Sequence, residues 1–128
     1  MLIEKARDSM SNTKVVQEPI EGLNDFLQFI RDDYCKWSAG SPTETRDKFN
    51  QAFCEGLQFQ VGSKYIKVIK SSYGGDRSVH SFIVKNDTAK FKKGDILKAN
   101  SWNAPATNFA RGNVIDGTLD RIRWTGAL

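Results

Sequence analysis

The sequence is poor in the residues that build metal centres, disulfide frameworks and membrane spans. Its 128 residues contain two cysteines, one histidine and three prolines. A tetrahedral metal site needs four closely spaced ligands, and a disulfide scaffold needs more than one cysteine pair. No apolar run approaches the roughly 18 residues of a membrane-spanning helix. We therefore expect no metal, no cofactor and no membrane association.

The first residues also lack the features of a secretory signal. An acidic residue comes early and no apolar central region follows, so we expect a cytoplasmic protein with no signal peptide. The two cysteines, Cys35 and Cys54, fall on separate predicted helices, and free thiols are expected there rather than a disulfide. Residues 1–18 show no sustained apolar periodicity and are predicted to be peripheral. Residues 19–128 are predicted to form a single domain.

Helical periodicity dominates the first half of that domain. Between Ile20 and Ser38 the apolar residues recur at steps of three and four, which predicts an amphipathic helix. Ser41, Pro42 and Glu44 form the signature of a capping box, so a second helix is expected to begin there and to end near Gly56. The short connection predicts a helical hairpin over residues 19–57.

After Gly56 the apolar period changes from that of a helix to that of a strand. Strands are predicted at 65–70, 79–85, 95–99 and 119–124, with a long loop over 100–116. The fold class is therefore α+β, with the hairpin packed on an antiparallel β-meander of four to five strands. The meander, residues 58–128, is expected either as an open sheet or as a partly closed barrel.

The net charge of +4 hides an uneven distribution. Residues 1–60 carry seven basic and ten acidic side chains, whereas residues 61–128 carry twelve basic and five acidic ones. The predicted sheet is thus a basic module, and an anionic partner would bind on that half of the chain.

Strand alternation predicts where the cations point. Cations and aromatic residues that share one face would contact phosphates and stack on bases, with His80 interleaved among them. The candidate ligand-binding residues are Tyr65, Lys67, Lys98, Trp102, Arg111, Arg121 and Arg123. In the alternative interpretation, the cations only keep a solvated face soluble, and Trp102 plugs the end of the sheet beneath Arg111.

No catalytic constellation stands out. His80 could act as a general base only with a partner, and no spacing marks one, so a half-buried or surface strand histidine is expected. The Gly74-Gly75-Asp76 turn lacks the Gly-Lys-Ser/Thr of a phosphate loop. We predict that the protein is not an enzyme.

Several segments have a family resemblance. Residues 94–106 and 110–116, together with 64–68, 78–83 and 123–126, resemble an uncharacterised family of small proteins encoded by tailed bacteriophages. The resemblance covers roughly residues 62–126. It departs from the family at Asn103 and Thr107, where members often carry Lys. It implies a phage accessory protein in the cytoplasm of an infected bacterium.

Charge pattern and resemblance together lead to one functional hypothesis with two alternatives. The protein is expected to be a non-enzymatic accessory protein that binds nucleic acid or a nucleotide, for example as a counter-defence protein that sequesters a nucleotide signal. The first alternative is a protein-interaction module that binds and inhibits a host bacterial protein, with Trp102 or Trp37 at the centre of an exposed apolar patch. The second is a minor virion component.

Overall fold

A helical hairpin precedes an antiparallel sheet in this chain, and the predicted α+β class is confirmed. The computed structural model describes residues 18–40, 43–72 and 74–128. The elements, in chain order, are α1 (Leu23–Trp37), a short 3-10 helix (Ser38–Gly40), α2 (Thr43–Gly56), β1 (Gln58–Val61), β2 (Tyr65–Ser71), β3 (Arg77–Val84), β4 (Asp95–Lys98), β5 (Gly112–Asn113), β6 (Ile122–Arg123) and β7 (Gly126–Ala127). The predicted peripheral segment, apart from Glu18, and the Ser41-Pro42 start of the second helix lie outside the described residues.

Helix α1 follows the apolar stripe that predicts it. Its buried residues are Leu23, Phe26, Leu27, Ile30 and Tyr34, which recur at helical spacing and face the sheet. Asp25 in the first turn and Lys36 in the last turn complement the helix dipole. The helix is therefore stabilised at both ends by charge and along one face by burial.

The sheet is an open meander with strand order β1-β2-β3-β4-β5. Strands β1 and β5 are its two edges and do not pair with each other, so the barrel alternative is wrong. The last predicted strand, 119–124, is reduced to β6, which pairs with β7 in a separate two-stranded sheet. Strand β5 lies inside the segment predicted as a long loop.

A β-bulge changes the direction of one side chain in β3. Val68 pairs with Ser81, but the next residue of β2, Ile69, pairs with Val79. His80 is the extra residue between them. It is 1% exposed and its ring contacts the edge of Phe26 on α1, with centroids 5.9 Å apart. The expectation of a surface or half-buried histidine is therefore wrong.

The sheet is buried on both faces. The helices cover one face, where Ile66, Val68, Ile83 and Ile96 belong to the main core. On the other face Phe82, Val84 and Leu97 form a second cluster, which is covered by partly buried residues of the strands and loops: Tyr65, Val79, Phe91, Ala99 and Ala110. Loop segments thus cover the face that carries no helix.

Gly22, just before α1, provides a test of backbone packing. Its φ is +90°, and a Cβ atom there would overlap the carbonyl oxygen of Val114. We expect Gly22→Ala to lower the free energy of unfolding by about 2 kcal/mol, because the left-handed strain adds to that overlap. Urea denaturation measures the change.

Gly75 provides the matched control. Its φ is +93°, and no atom of the described residues, apart from its chain neighbours, lies within 4 Å of an added Cβ. Gly75→Ala should cost about 1 kcal/mol from conformational strain alone. Equal losses in the two variants would contradict a role for the Val114 contact.

Candidate functional site

The structure divides the seven predicted ligand-binding residues among several surfaces. Lys67 and Trp102 are in direct contact, with Lys67 Nζ 4.7 Å from the centroid of the indole. Tyr65 lies two residues before Lys67 on β2 and packs against Phe82. Lys98 is exposed and pairs with Ser81, so alternation directs it to the opposite face of the sheet from Lys67.

Arg111 is built into the fold. It is 7% exposed, and its guanidinium donates hydrogen bonds to Leu128 O, Asn108 Oδ1 and Phe109 O at 3.1, 2.9 and 2.8 Å. Its Cζ also lies 3.9 Å from the centroid of the Phe109 ring. The guanidinium is therefore occupied by the protein itself, and we leave it out of the candidate site.

The other two arginines are exposed but lie elsewhere. Arg121 approaches the Phe109 ring at 5.5 Å. Arg123 donates to the carbonyl oxygens of Asp120 and Ile122 and lines a shallow depression with Trp37 and Trp124. Neither arginine makes a contact with Lys67 or Trp102 among the described residues.

One concavity in the described part of the chain was not predicted from the sequence. We call it the aromatic cleft, a cavity of about 590 Å³. Its aromatic wall consists of Tyr34, Trp37, Phe49, Phe53 and Trp124, and its polar rim consists of Lys70, Ser71, Ser72, Asp76, Arg77 and Ser78. An apolar pocket with a few convergent polar groups is the usual form of a ligand site.

The aromatic wall is a connected set of rings. Tyr34 and Phe53 stack in parallel with centroids 4.2 Å apart. Trp124 meets Tyr34 edge to face at 4.9 Å and tilts against Trp37 at 4.8 Å. Phe53 is 4% exposed whereas Trp37 is 63% exposed, so the wall runs from the core to the surface. Ring contacts of this kind hold the aromatic planes in fixed orientations.

Hydrogen bonds hold the elements that carry these rings. The Trp124 backbone N–H donates to Asp33 Oδ2 at 2.8 Å, which attaches the segment after β6 to α1. The Ser38 hydroxyl donates to Asn50 Oδ1 at 2.7 Å, which attaches the end of α1 to α2. The wall is therefore assembled before any ligand arrives.

The cleft contains a cation, Lys70, that forms no ion pair with any described carboxylate. Lys70 is half-buried, and burial lowers the pKa of its ammonium. Its Nζ lies 5.9 Å from the centroid of the Trp124 ring. Within residues 18–40, 43–72 and 74–128, no carboxylate forms an ion pair with it. The Lys70 ammonium loses part of its hydration without gaining an anion in exchange, and this loss costs free energy. An anionic ligand would offset that cost.

A second aromatic and cationic surface lies on the other side of the sheet end. We call it the Trp102 patch, formed by Trp102, Lys67, Arg77 and Asn103. Lys67 Nζ donates to Asn103 Oδ1 at 3.1 Å, and Arg77 Cζ lies 5.4 Å from the Trp102 centroid. Trp102 is 41% exposed. Arg77 also lines the aromatic cleft, so this residue is common to both surfaces.

Other kinds of site find little support in the described residues. No group of three or more His, Cys, Asp or Glu side chains there could hold a metal ion. Cys35 and Cys54 are free thiols, as predicted, and both are partly buried. No described helix has the length and apolarity to cross a membrane.

The fold and the cleft define an α+β protein with a preformed aromatic pocket at the end of its sheet. A family model matches residues 2–127, and the chain belongs to this family, which is described as a family of unknown function (DUF7717). The match includes the helical hairpin as well as the sheet. No curated protein and no solved structure matches the chain.

Proposed function

We propose that the protein is a non-enzymatic binding protein and that its aromatic cleft binds a nucleotide. The observation that carries the proposal is the half-buried Lys70 ammonium, which lies beside an aromatic wall and has no carboxylate partner among the described residues. A nucleotide offers both complementary groups, a planar base and a phosphate. Phosphate on Lys70 would restore the charge balance, and the base would stack on the exposed ring of Trp37.

The rim of the cleft adds to both interactions. Arg77 supplies a second cation, and the hydroxyls of Ser72 and Ser78 can donate to phosphate oxygens. Asp76 lies on the same rim and partly offsets the positive charge of Lys70 and Arg77. A phosphate is therefore expected on the side of the rim that these two cations form. Trp37 and Trp124 are already in contact, so a base would stack on the outer face of Trp37 rather than between them.

The biological setting is part of the proposal. The resemblance of residues 62–126 to small tailed-phage proteins supports an accessory protein made in the cytoplasm of an infected bacterium. A protein that binds nucleotides without turning them over could sequester a nucleotide signal of host defence.

The direct test is a titration with adenosine monophosphate at low salt, followed by tryptophan fluorescence and calorimetry. We expect saturable quenching, and at least about tenfold weaker binding of adenosine, because Lys70 and Arg77 lose their phosphate contact. Trp37→Ala and Lys70→Met should each weaken binding about tenfold, in line with the loss of one stacking or one phosphate contact.

Two matched variants control for general effects. Phe29→Ala removes an exposed aromatic of α1 that does not line the cleft, and Lys90→Met removes a cation from the connection between β3 and β4. Both should bind adenosine monophosphate as the unaltered protein does. No saturable binding at millimolar nucleotide, or equal effects of cleft and control variants, would contradict the proposal.

The protein-interaction alternative has one observation in its favour. Trp37 is 63% exposed and Phe49, which also lines the cleft, is 38% exposed, and exposed aromatics of this size are typical of binding hot spots. A pull-down from nuclease-treated bacterial lysate at roughly 0.5 M salt would screen phosphate contacts. A host protein retained by the unaltered protein and lost with Trp37→Ala would favour this alternative over nucleotide binding.

A further inference from the structure

Like the aromatic cleft, the Trp102 patch places cations beside an aromatic ring, although it lies on another face. It offers an indole plane that is 41% exposed, with two cations close to it. Among the described residues, neither Lys67 nor Arg77 forms an ion pair with a carboxylate. No described carboxylate therefore neutralises these two charges, and the exposed part of the indole is available to a planar ring.

The turn that carries Trp102 is held in place by hydrogen bonds. Hydrogen bonds between the backbones of Ser101 and Ala104 close it. The Lys67 ammonium donates to the neighbouring Asn103 side chain and so ties this turn to β2. A turn that is already fixed loses little conformational entropy when a base stacks on its indole.

Arg77 connects the patch to the cleft. It lines the cleft and lies 5.4 Å from the Trp102 ring, so the two surfaces meet at the end of the β2–β3 hairpin. Lys67 and Lys70 are three residues apart on β2, which separates them by about 10 Å along the strand and places them on opposite faces. A single phosphate cannot contact both lysines, whereas separate phosphates of one longer strand can.

Base pairing would prevent this mode of binding. The faces of paired bases are stacked inside a duplex, while an indole needs an unstacked base. The Asn103 amide oxygen is already used by Lys67, so it is not available to read base edges. These features favour the binding of single-stranded nucleic acid, with an affinity that depends little on the base sequence.

We propose that Trp102, Lys67 and Arg77 form a second subsite, which binds a further nucleotide of a single strand that also occupies the aromatic cleft. The inference rests on the proposed function. It identifies the ligand as single-stranded nucleic acid rather than a free nucleotide, with the strand passing around the end of the β2–β3 hairpin at Arg77.

The experiment compares ligands of increasing length on the full chain. Thymidine monophosphate, a tetranucleotide and an octanucleotide of thymidine are titrated at low salt. We expect affinity to rise at least about tenfold from the monophosphate to the octanucleotide, as one additional stacked base predicts. The uridine octanucleotide distinguishes RNA from DNA, and a hairpin duplex should bind no more tightly than the monophosphate.

Two variants assign the gain in affinity to the second subsite. Trp102→Ala should remove most of the gain with length and leave the affinity for the monophosphate unchanged. Lys67→Gln should reduce the slope of log K against log salt for the octanucleotide by about 0.7, the value for one phosphate contact on a single strand. Phe29→Ala, outside both surfaces, is the control and should change neither quantity.

The possible results separate the two proposals. Monophosphate binding with no gain for the octanucleotide would overturn the second subsite and leave the cleft standing. A gain with length that survives both Trp102→Ala and Lys67→Gln would also overturn it. No binding of any probe would overturn the proposed function, and this inference with it.

Discussion

Acidification from pH 7 to pH 4 is expected to lower the free energy of unfolding by about 3 kcal/mol through His80 alone. Burial lowers the pKa of this histidine to about 4, the nearby charge of Lys70 acts in the same direction, and the hydrogen bond to Arg123 acts against both. In the unfolded chain the pKa is about 6.5. Between these two values the unfolded state binds more protons than the folded state, so stability falls as the pH falls.

Burial explains why the folded state resists the proton, and the hydrogen bonds of His80 show which nitrogen of the neutral ring carries the hydrogen. Nε2 lies 2.7 Å from the Arg123 carbonyl oxygen, which can only accept, so Nε2 carries the hydrogen of the neutral ring. Nδ1 then accepts from the Ser81 hydroxyl at 2.8 Å. A second proton, on Nδ1, would require the Ser81 hydroxyl to turn from donor to acceptor, and it would place a positive charge on a side chain that is 1% exposed.

His80→Gln is the variant that isolates this effect. Its amide can donate to the same carbonyl, but it does not titrate. Urea denaturation at a series of pH values between 4 and 7 should show a steeper loss of stability in the unaltered protein than in the variant. The difference in stability between the two proteins should appear as the pH falls through the pKa of His80 in the unfolded chain. It should stop growing once the pH is below the pKa of His80 in the folded protein. Parallel profiles would mean that His80 makes no contribution.

Arg111→Met is expected to lower the free energy of unfolding by about 3 kcal/mol, since hydrogen bonds to a charged group contribute about 1.5–3 kcal/mol and the acceptors left behind are partly buried. Arg111 joins Asn108 and Phe109 to the carbonyl of Leu128. Its loss should detach the loop before β5 from the segment after β7. Methionine keeps most of the apolar volume, so the change reports on the hydrogen bonds.

Arg121→Met is the matched control for this prediction. Arg121 contacts the same Phe109 ring but is exposed, so its loss should change stability by less than about 0.5 kcal/mol. Both variants should bind adenosine monophosphate with unchanged affinity. Weaker nucleotide binding by folded Arg111→Met would instead support the phosphate contact predicted from the sequence.

Most of the fold could be predicted from local sequence patterns. The apolar stripe of α1 and the change of period after Gly56 predicted the hairpin and the meander, since both depend on neighbouring residues. The burial of His80 could not be predicted in this way. It depends on one extra residue between the pairs Val68–Ser81 and Ile69–Val79, and propensity does not determine the pairing register of two strands.

The candidate site was predictable only in part. Lys67 and Trp102 were expected on one surface and are in contact. The aromatic cleft was missed because its wall combines Trp37 at the end of α1 with Trp124 after β6. Trp124 ends an apolar pattern and therefore looks like core, and Trp37 was predicted only as a possible centre of a protein-interaction patch. What marks them as a site is their mutual contact beside Lys70, a long-range arrangement that no local spacing encodes.

The second cluster, Phe82, Val84 and Leu97, limits where relatives of this chain can gain or lose residues. Where a helix covers a sheet, the loops around it are free to lengthen or shorten. Here loop residues such as Phe91, Ala99 and Ala110 cover the cluster, so the segments between β3 and β5 act as a third layer of the fold. Insertions and deletions in relatives should therefore fall at turns such as the one containing Gly117, where no atom lies near an added Cβ, and not in the loop that carries Trp102.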